Sequence, residues 1–127
     1  MKKQITTNNA PAAIGPYSQA IQAGNMIYVS GQLPINPATG EFAGETIEAQ
    51  TKQSLKNMKA ILKECGLGMD SVVKTTVLLS DIKDFGAMND VYKQYFSSEC
   101  PARSAFEVAN LPKGASVEIE AIAYKED

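Results

Sequence analysis

Apolar and polar positions alternate with two periods along this chain, and the switches between them mark its elements. In residues 20–30, AIQAGNMIYVS, two short apolar runs flank Gly24-Asn25, a dipeptide that favours the tight turn of a β-hairpin. GQLPINPATGEF follows, and Pro34, Pro37 and Gly40 make it a structured loop. From Thr46 to Cys65 the apolar positions are Ile47, Leu55, Met58, Leu62 and Cys65. That spacing predicts one face of a long helix, with Thr46 as N-cap and Gly66 as stop signal. VVKTTVLL at 72–79 is rich in β-branched residues and predicts a central strand. Phe85, Met88, Tyr92 and Tyr95 then recur at helical spacing along a second helix that ends before Pro101, with Gly86 weakening it slightly.

Two strands are expected at about 103–109 and 115–124, joined by NLPKG and paired as a hairpin. The order is β-β-α-β-α-β-β, with a further strand at Lys3–Thr6. It predicts a single α+β domain over residues 1–127, with both helices covering one face of a mixed sheet. The other face then needs a cover, and small sheet proteins commonly bury such a face against copies of themselves in a closed ring.

Composition narrows the chemistry. The chain has 127 residues, 44% hydrophobic and 20% charged, with a net charge of −2. Its basic residues are scattered, which weighs against nucleic acid as the main partner, because phosphate binding needs a concentrated basic face. It contains no histidine, which removes Ser-His-Asp and Cys-His catalysis and His-ligated metal; acid–base work falls to Glu, Asp, Lys, Tyr, Cys or water. Cys65 and Cys100 have no metal-ligand or redox-motif spacing and read as free thiols of a cytoplasmic protein. No apolar run approaches the roughly 20 residues of a membrane span, and MKKQITTNNA lacks a signal-peptide core.

The last two predicted strands carry more charge than a core needs. Arg103, Ala105, Glu107 and Ala109 share one face of the first, while Glu118 and Glu120 share a face of the second with Ile122 and Tyr124. Val117, Ile119, Ala121 and Ala123 form the opposite, apolar face, which meets the helices. From pattern alone, Arg103 and the glutamates are most simply solvated cross-strand pairs, and hairpin register leaves open which Glu lies beside Arg103. Tyr17, after Gly15-Pro16, reads as a turn residue. Ser30-Gly31 reads as a strand exit, though glycine there would also let a ligand approach the backbone. Asn89 is solvent-facing by default. Cys100 has no basic sequence neighbour to favour its thiolate.

Several long motifs, in order, carry a resemblance. APAAIGPYSQAI at 10–21, IYVSGQLPINPATGE at 27–41, QTKQSLKNMKAIL, VVKTTVLLSDI and PARSAFEVANLPKGASVEIEA resemble the Rid family, also called YjgF, of reactive-intermediate deaminases. The resemblance spans nearly the whole chain. It implies a chorismate-mutase-like fold assembled as a homotrimer, with clefts at the subunit interfaces. It also implies hydrolysis of 2-imino acids such as 2-iminobutanoate and 2-iminopropanoate, and of their enamine tautomers, to 2-keto acids and ammonia. Such compounds are released by pyridoxal-phosphate enzymes, so the role would be control of metabolite damage.

Carried across by motif, Arg103 matches the carboxylate-binding arginine and Glu118 the residue holding the reacting water. Tyr17, Ser30 and Gly31 match cleft-lining positions, and Phe85 and Asn89 are candidates for closing the cleft from a neighbouring subunit. Where the family often has cysteine this chain has Ala105, leaving only a backbone N–H there to meet substrate. The arginine fork suits a carboxylate, and Glu118 would direct water at the adjoining C=N carbon. No metal or cofactor is required. Two other readings stand beside this one: a non-catalytic sensor of small 2-keto acids in the same clefts, and an RNA-directed activity, which the mild acidity disfavours.

Overall fold

The computed structural model describes residues 1–127. Its strands are β1 (Lys2–Ile5), β2 (Ala20–Ala23), β3 (Met26–Gln32), β4 (Ile35–Asn36), β5 (Glu41–Phe42), β6 (Val72–Leu79), β7 (Ala102–Glu107) and β8 (Val117–Tyr124), with helices α1 (Ile47–Glu64) and α2 (Phe85–Tyr92). Six strands form one sheet in the order β1-β2-β3-β8-β6-β7, and β4-β5 form a separate hairpin within the loop predicted at 31–42. All pairings in the large sheet are antiparallel except β6 with β7. The fold is therefore mixed α+β, with a mostly antiparallel sheet.

Local sequence explains most of these elements. Gly24 opens the β2–β3 turn with φ +60°, a value costly for any residue with a Cβ. The Thr46 side chain accepts the Ala49 N–H and caps α1. Gly66, at φ +77°, ends that helix, and the Gly66 and Leu67 amides return to the Lys63 and Leu62 carbonyls. The second helix is shorter than its apolar spacing suggests. It stops at Tyr92, and only single turns follow through Tyr95 and Phe96.

Both helices lie on one face of the sheet. Leu55, Met58, Ile61 and Leu62 of α1 and Met88 of α2 pack against Ile27, Val77, Leu79, Val117 and Ile119, all fully buried. The alternation of β8 is as expected: Val117, Ile119, Ala121 and Ala123 are buried, while Glu118, Glu120, Ile122 and Tyr124 face the uncovered side. Both cysteines are free, and burial pushes the Cys65 thiol pKa upward.

One expectation fails. The last two strands are not a hairpin: β6 lies between β7 and β8. Strand β7 runs parallel to β6 after the α2 crossover, and β8 enters antiparallel between β3 and β6. Residues 108–116 therefore step across the end of β6, tied by Val108 N–H to Leu79 O and by Ser80 N–H to Ser116 O.

Candidate active site

The pairing register decides where the charged residues go. Arg103 stands opposite Thr75, and Thr75 opposite Ala121. Thr75 and Ala121 are buried on the helix side, so Arg103 projects to that side as well. Glu118 stands opposite Leu78, and Leu78 opposite Phe106, on the uncovered face. Neither Glu118 nor Glu120 lies beside Arg103. The solvated cross-strand pair anticipated from pattern does not form, because a third strand intervenes and the side chains point to opposite faces.

Arg103 is instead held by neutral groups. Its Nη1 donates to Asn89 Oδ1 at 2.6 Å. The guanidinium lies 4.8 Å from the Tyr92 ring centroid and 5.3 Å from that of Phe85, within cation–π range. Tyr92 is fixed in turn by a 2.7 Å hydrogen bond between its hydroxyl and Thr75, and burial raises its pKa most. The one salt bridge in the chain joins Lys93 to Asp90. Arg103 thus offers an immobilised, half-buried cation with no carboxylate partner. Asn89 is not solvent-facing, and Asn89 and Phe85 sit beside Arg103 within this chain. Ala105 follows two residues along the same face of β7, half-buried. Glu107 is outside this group: its carboxylate accepts the Ile82 N–H at 2.9 Å.

Glu118 belongs to a second cavity of about 680 Å³, lined by Tyr17, Ser30, Gly31, Leu33, Ile35 and Glu120 among others. Ser30-Gly31 is not a strand exit but a bulge within β3. Val29 pairs with Ala121 and Gln32 with Ile119, so two residues oppose Glu120. Ser30 anchors the bulge by donating its hydroxyl to Ser18 O at 2.6 Å and its N–H to Gln19 O at 3.0 Å. The glycine has a specific purpose here: a Cβ on Gly31 would lie 2.8 Å from the Glu118 carboxyl carbon. The missing side chain is the space that Glu118 occupies. Desolvation, and secondarily the Glu120 charge, raise the Glu118 pKa above the ordinary carboxylate value.

The wall opposite is the loop 11–17, which brings Tyr17, about half exposed, to the same cavity. Gln19, nearly fully buried, secures the start of this loop. It accepts the Thr7 N–H at 2.7 Å and donates to Pro11 O at 2.7 Å. That clamp was not apparent from sequence, since a lone glutamine just before a strand carries no signal. One chain thus holds two separated clusters, a cation on the helix side of β7 and a partly desolvated carboxyl on the open side of β8.

The arrangement has counterparts. The model of the family described as Endoribonuclease L-PSP matches residues 7–125. This chain belongs to that family. Its members include the proteins called Rid or YjgF: the structure of the YjgF gene product from E. coli superposes with TM-score 0.94 at 50% identity, covering 98% of this chain and 99% of that one. The structure of E. coli TdcF with bound serine matches with TM-score 0.94 at 44% identity, again over 98% and 99%. By sequence, RutC family protein PH0854 of Pyrococcus horikoshii is 55% identical, covering 99% of this chain and all of that protein. The 2-iminobutanoate/2-iminopropanoate deaminase of Mus musculus is 52% identical, over 98% of this chain and 93% of that enzyme. Within this chain, no group of three or more His, Cys, Asp or Glu is placed to hold a metal ion, and no helix is long and apolar enough to cross a membrane.

Proposed function

We propose that this protein hydrolyses small 2-imino acids and their enamine tautomers to 2-keto acids and ammonia, without metal or cofactor, in clefts formed between copies of the chain. The observation that carries the reading is Arg103. An arginine pinned by an amide oxygen and two aromatic rings, in no salt bridge although Asp90, paired with Lys93, lines the same pocket, is a pre-formed receptor for an organic carboxylate. The names of the deaminase relatives supply the reaction class, and serine bound to TdcF is itself a small amino carboxylate.

In this reading Arg103 binds the substrate carboxylate and Asn89 keeps the guanidinium from swinging away. Phe85, Tyr92 and the Ala105 backbone shape that half. The second half comes from another copy: Glu118 accepts a hydrogen bond from water beside Ser30-Gly31, with Tyr17 as a flank. Water adds to the carbon of the protonated C=N as Glu118 takes one of its protons, giving a neutral carbinolamine. Glu118 returns that proton to the nitrogen, ammonia leaves, and the carbinol O–H proton is released to solvent, leaving the keto acid. A carboxyl with a raised pKa is better matched to that exchange near neutrality than an ordinary one.

The same geometry supports an assembly of copies. Tyr28, Phe106 and Tyr124 leave large apolar area on the uncovered sheet face, which a closed ring of three copies would bury while joining the half-sites. We place the protein in the cytosol, beside pyridoxal-phosphate dehydratases that release such imines.

The test is direct. A serine dehydratase generates 2-aminoacrylate, and keto-acid formation is followed with and without this protein. Added rate is expected, and Arg103→Ala should lower kcat/KM by on the order of 10²-fold or more through loss of the bidentate clamp. No acceleration by the wild type, or an undiminished rate in the variant, defeats the assignment. Keto-acid binding without turnover would leave a sensor instead.

A further inference from the structure

Helix α1 carries an amide relay that no cavity-lining residue accounts for. Asn57 is 1% exposed, yet its Nδ2 donates to both Leu33 O at 3.1 Å and Ile35 O at 2.8 Å. Its Oδ1 accepts from Gln53 Nε2 at 2.8 Å, one helical turn earlier. Leu33 and Ile35 belong to the wall of the Glu118 cavity; Asn57 and Gln53 do not touch it.

The local geometry explains why one amide is needed. Ile35 N–H returns to Leu33 O at 2.8 Å across Pro34, a three-residue turn that brings both carbonyls round toward the helix. Pro34 has no N–H to contribute, so the two amide hydrogens of one buried side chain fasten the turn. Ala43 N–H closes on Pro34 O at 3.0 Å, which links the β4–β5 hairpin to the same point. With the carbonyls held inward, the Leu33 and Ile35 side chains form the apolar wall of the cavity.

We propose that Asn57, oriented by Gln53, is a positioning residue that sets the placement of the Leu33–Ile35 wall and so the size of substrate side chain the cleft admits. This rests on the deaminase reading of the cavity. The relay fixes the amide unambiguously: both hydrogens have acceptors and the oxygen has a donor, so no other orientation satisfies all three bonds. Asn57→Asp keeps the shape but removes the paired donors, whereas Asn57→Ala also removes volume.

The experiment uses imines generated in situ by an amino-acid oxidase from alanine and from leucine, with kcat and KM measured separately for each. For Asn57→Asp and Asn57→Ala the ratio of kcat/KM between the larger and smaller substrates should change by about fivefold or more, mainly through KM, with kcat for the smaller held within about twofold. Gln53→Ala should shift the ratio the same way but less, and adding it to Asn57→Ala should change nothing further. Amide hydrogen exchange provides a readout independent of turnover: it should quicken in residues 33–43 while β6 and β8 keep their protection. A uniform fall in kcat for both substrates, an unaltered ratio, or unchanged exchange in 33–43 overturns the proposal. Absence of any wild-type imine hydrolysis is a different failure, since it removes the deaminase reading while the exchange experiment still decides whether Asn57 holds the wall. Should the Asn57 variants not fold, Gln53→Ala decides by the same ratio and exchange criteria.

Discussion

At the scale of single residues, the site depends on which atoms are missing as much as on which are present. Glu118 can sit beside the bulge only because Gly31 has no side chain. Gly31→Ala should therefore displace the carboxylate, lowering kcat about tenfold or more, while melting shows the fold retained. Wild-type kcat in that variant would remove Glu118 from the mechanism. The raised Glu118 pKa makes a second statement. Because the acid is harder to ionise in the folded chain than unfolded, its contribution to stability is full at low pH and is lost as pH rises through the folded value. Glu118→Gln should then melt slightly higher than wild type at neutral pH, with the gap closing near pH ~4, while losing activity. In the wild type, the acid limb of the kcat/KM profile should lie above the ordinary glutamate range. A variant that melts lower at neutral pH would contradict the desolvation account.

Among the elements, α1 combines an apolar face with a second buried stripe of amides. Gln50 accepts the Ser116 N–H at 2.8 Å and donates to Gly44 O at 3.1 Å, tying the approach to β8 and the approach to α1 to one side chain. Gln50→Ala leaves a backbone donor and an acceptor unpaired, so urea denaturation should report a loss of about 1–3 kcal/mol; a change near zero would mean water replaces both bonds freely. Helix α1 was also the most legible element in sequence, because its cap, apolar spacing and terminal glycine are all local. The Gly24-Asn25 turn and β6 were legible for the same reason. What local pattern did not reveal was partnership. Strand β7 reads as half of a hairpin with β8, but a crossover through α2 makes it the parallel neighbour of β6, and that choice is made by packing across more than twenty residues. Side-chain parity along each strand was readable, so Arg103 with Ala105 and Glu118 with Glu120 were grouped as the structure has them. Whether the two groups shared a face was not, since that depends on the strand between them.

For the molecule as a whole, the opposition of the two half-sites is the physical reason for expecting shared clefts. Arg103 and Glu118 are separated by two strand spacings and three residues of register, roughly 14 Å even before their opposite facing is counted. No three-carbon imino acid spans that distance through a packed sheet. Two inactive variants should therefore rescue one another. Arg103→Ala supplies chains with an intact Glu118, and Glu118→Gln supplies chains with an intact Arg103. Refolded together, they should form mixed rings in which one junction brings both native groups face to face. With random mixing into trimers, activity should recover to about a quarter of wild type. A chain carrying both substitutions, mixed with either single variant, should restore nothing. If the two single variants exchange subunits, as a mass tag would reveal, yet remain inactive, then both groups act within one copy or one of them has no part in the reaction, and the shared cleft is wrong.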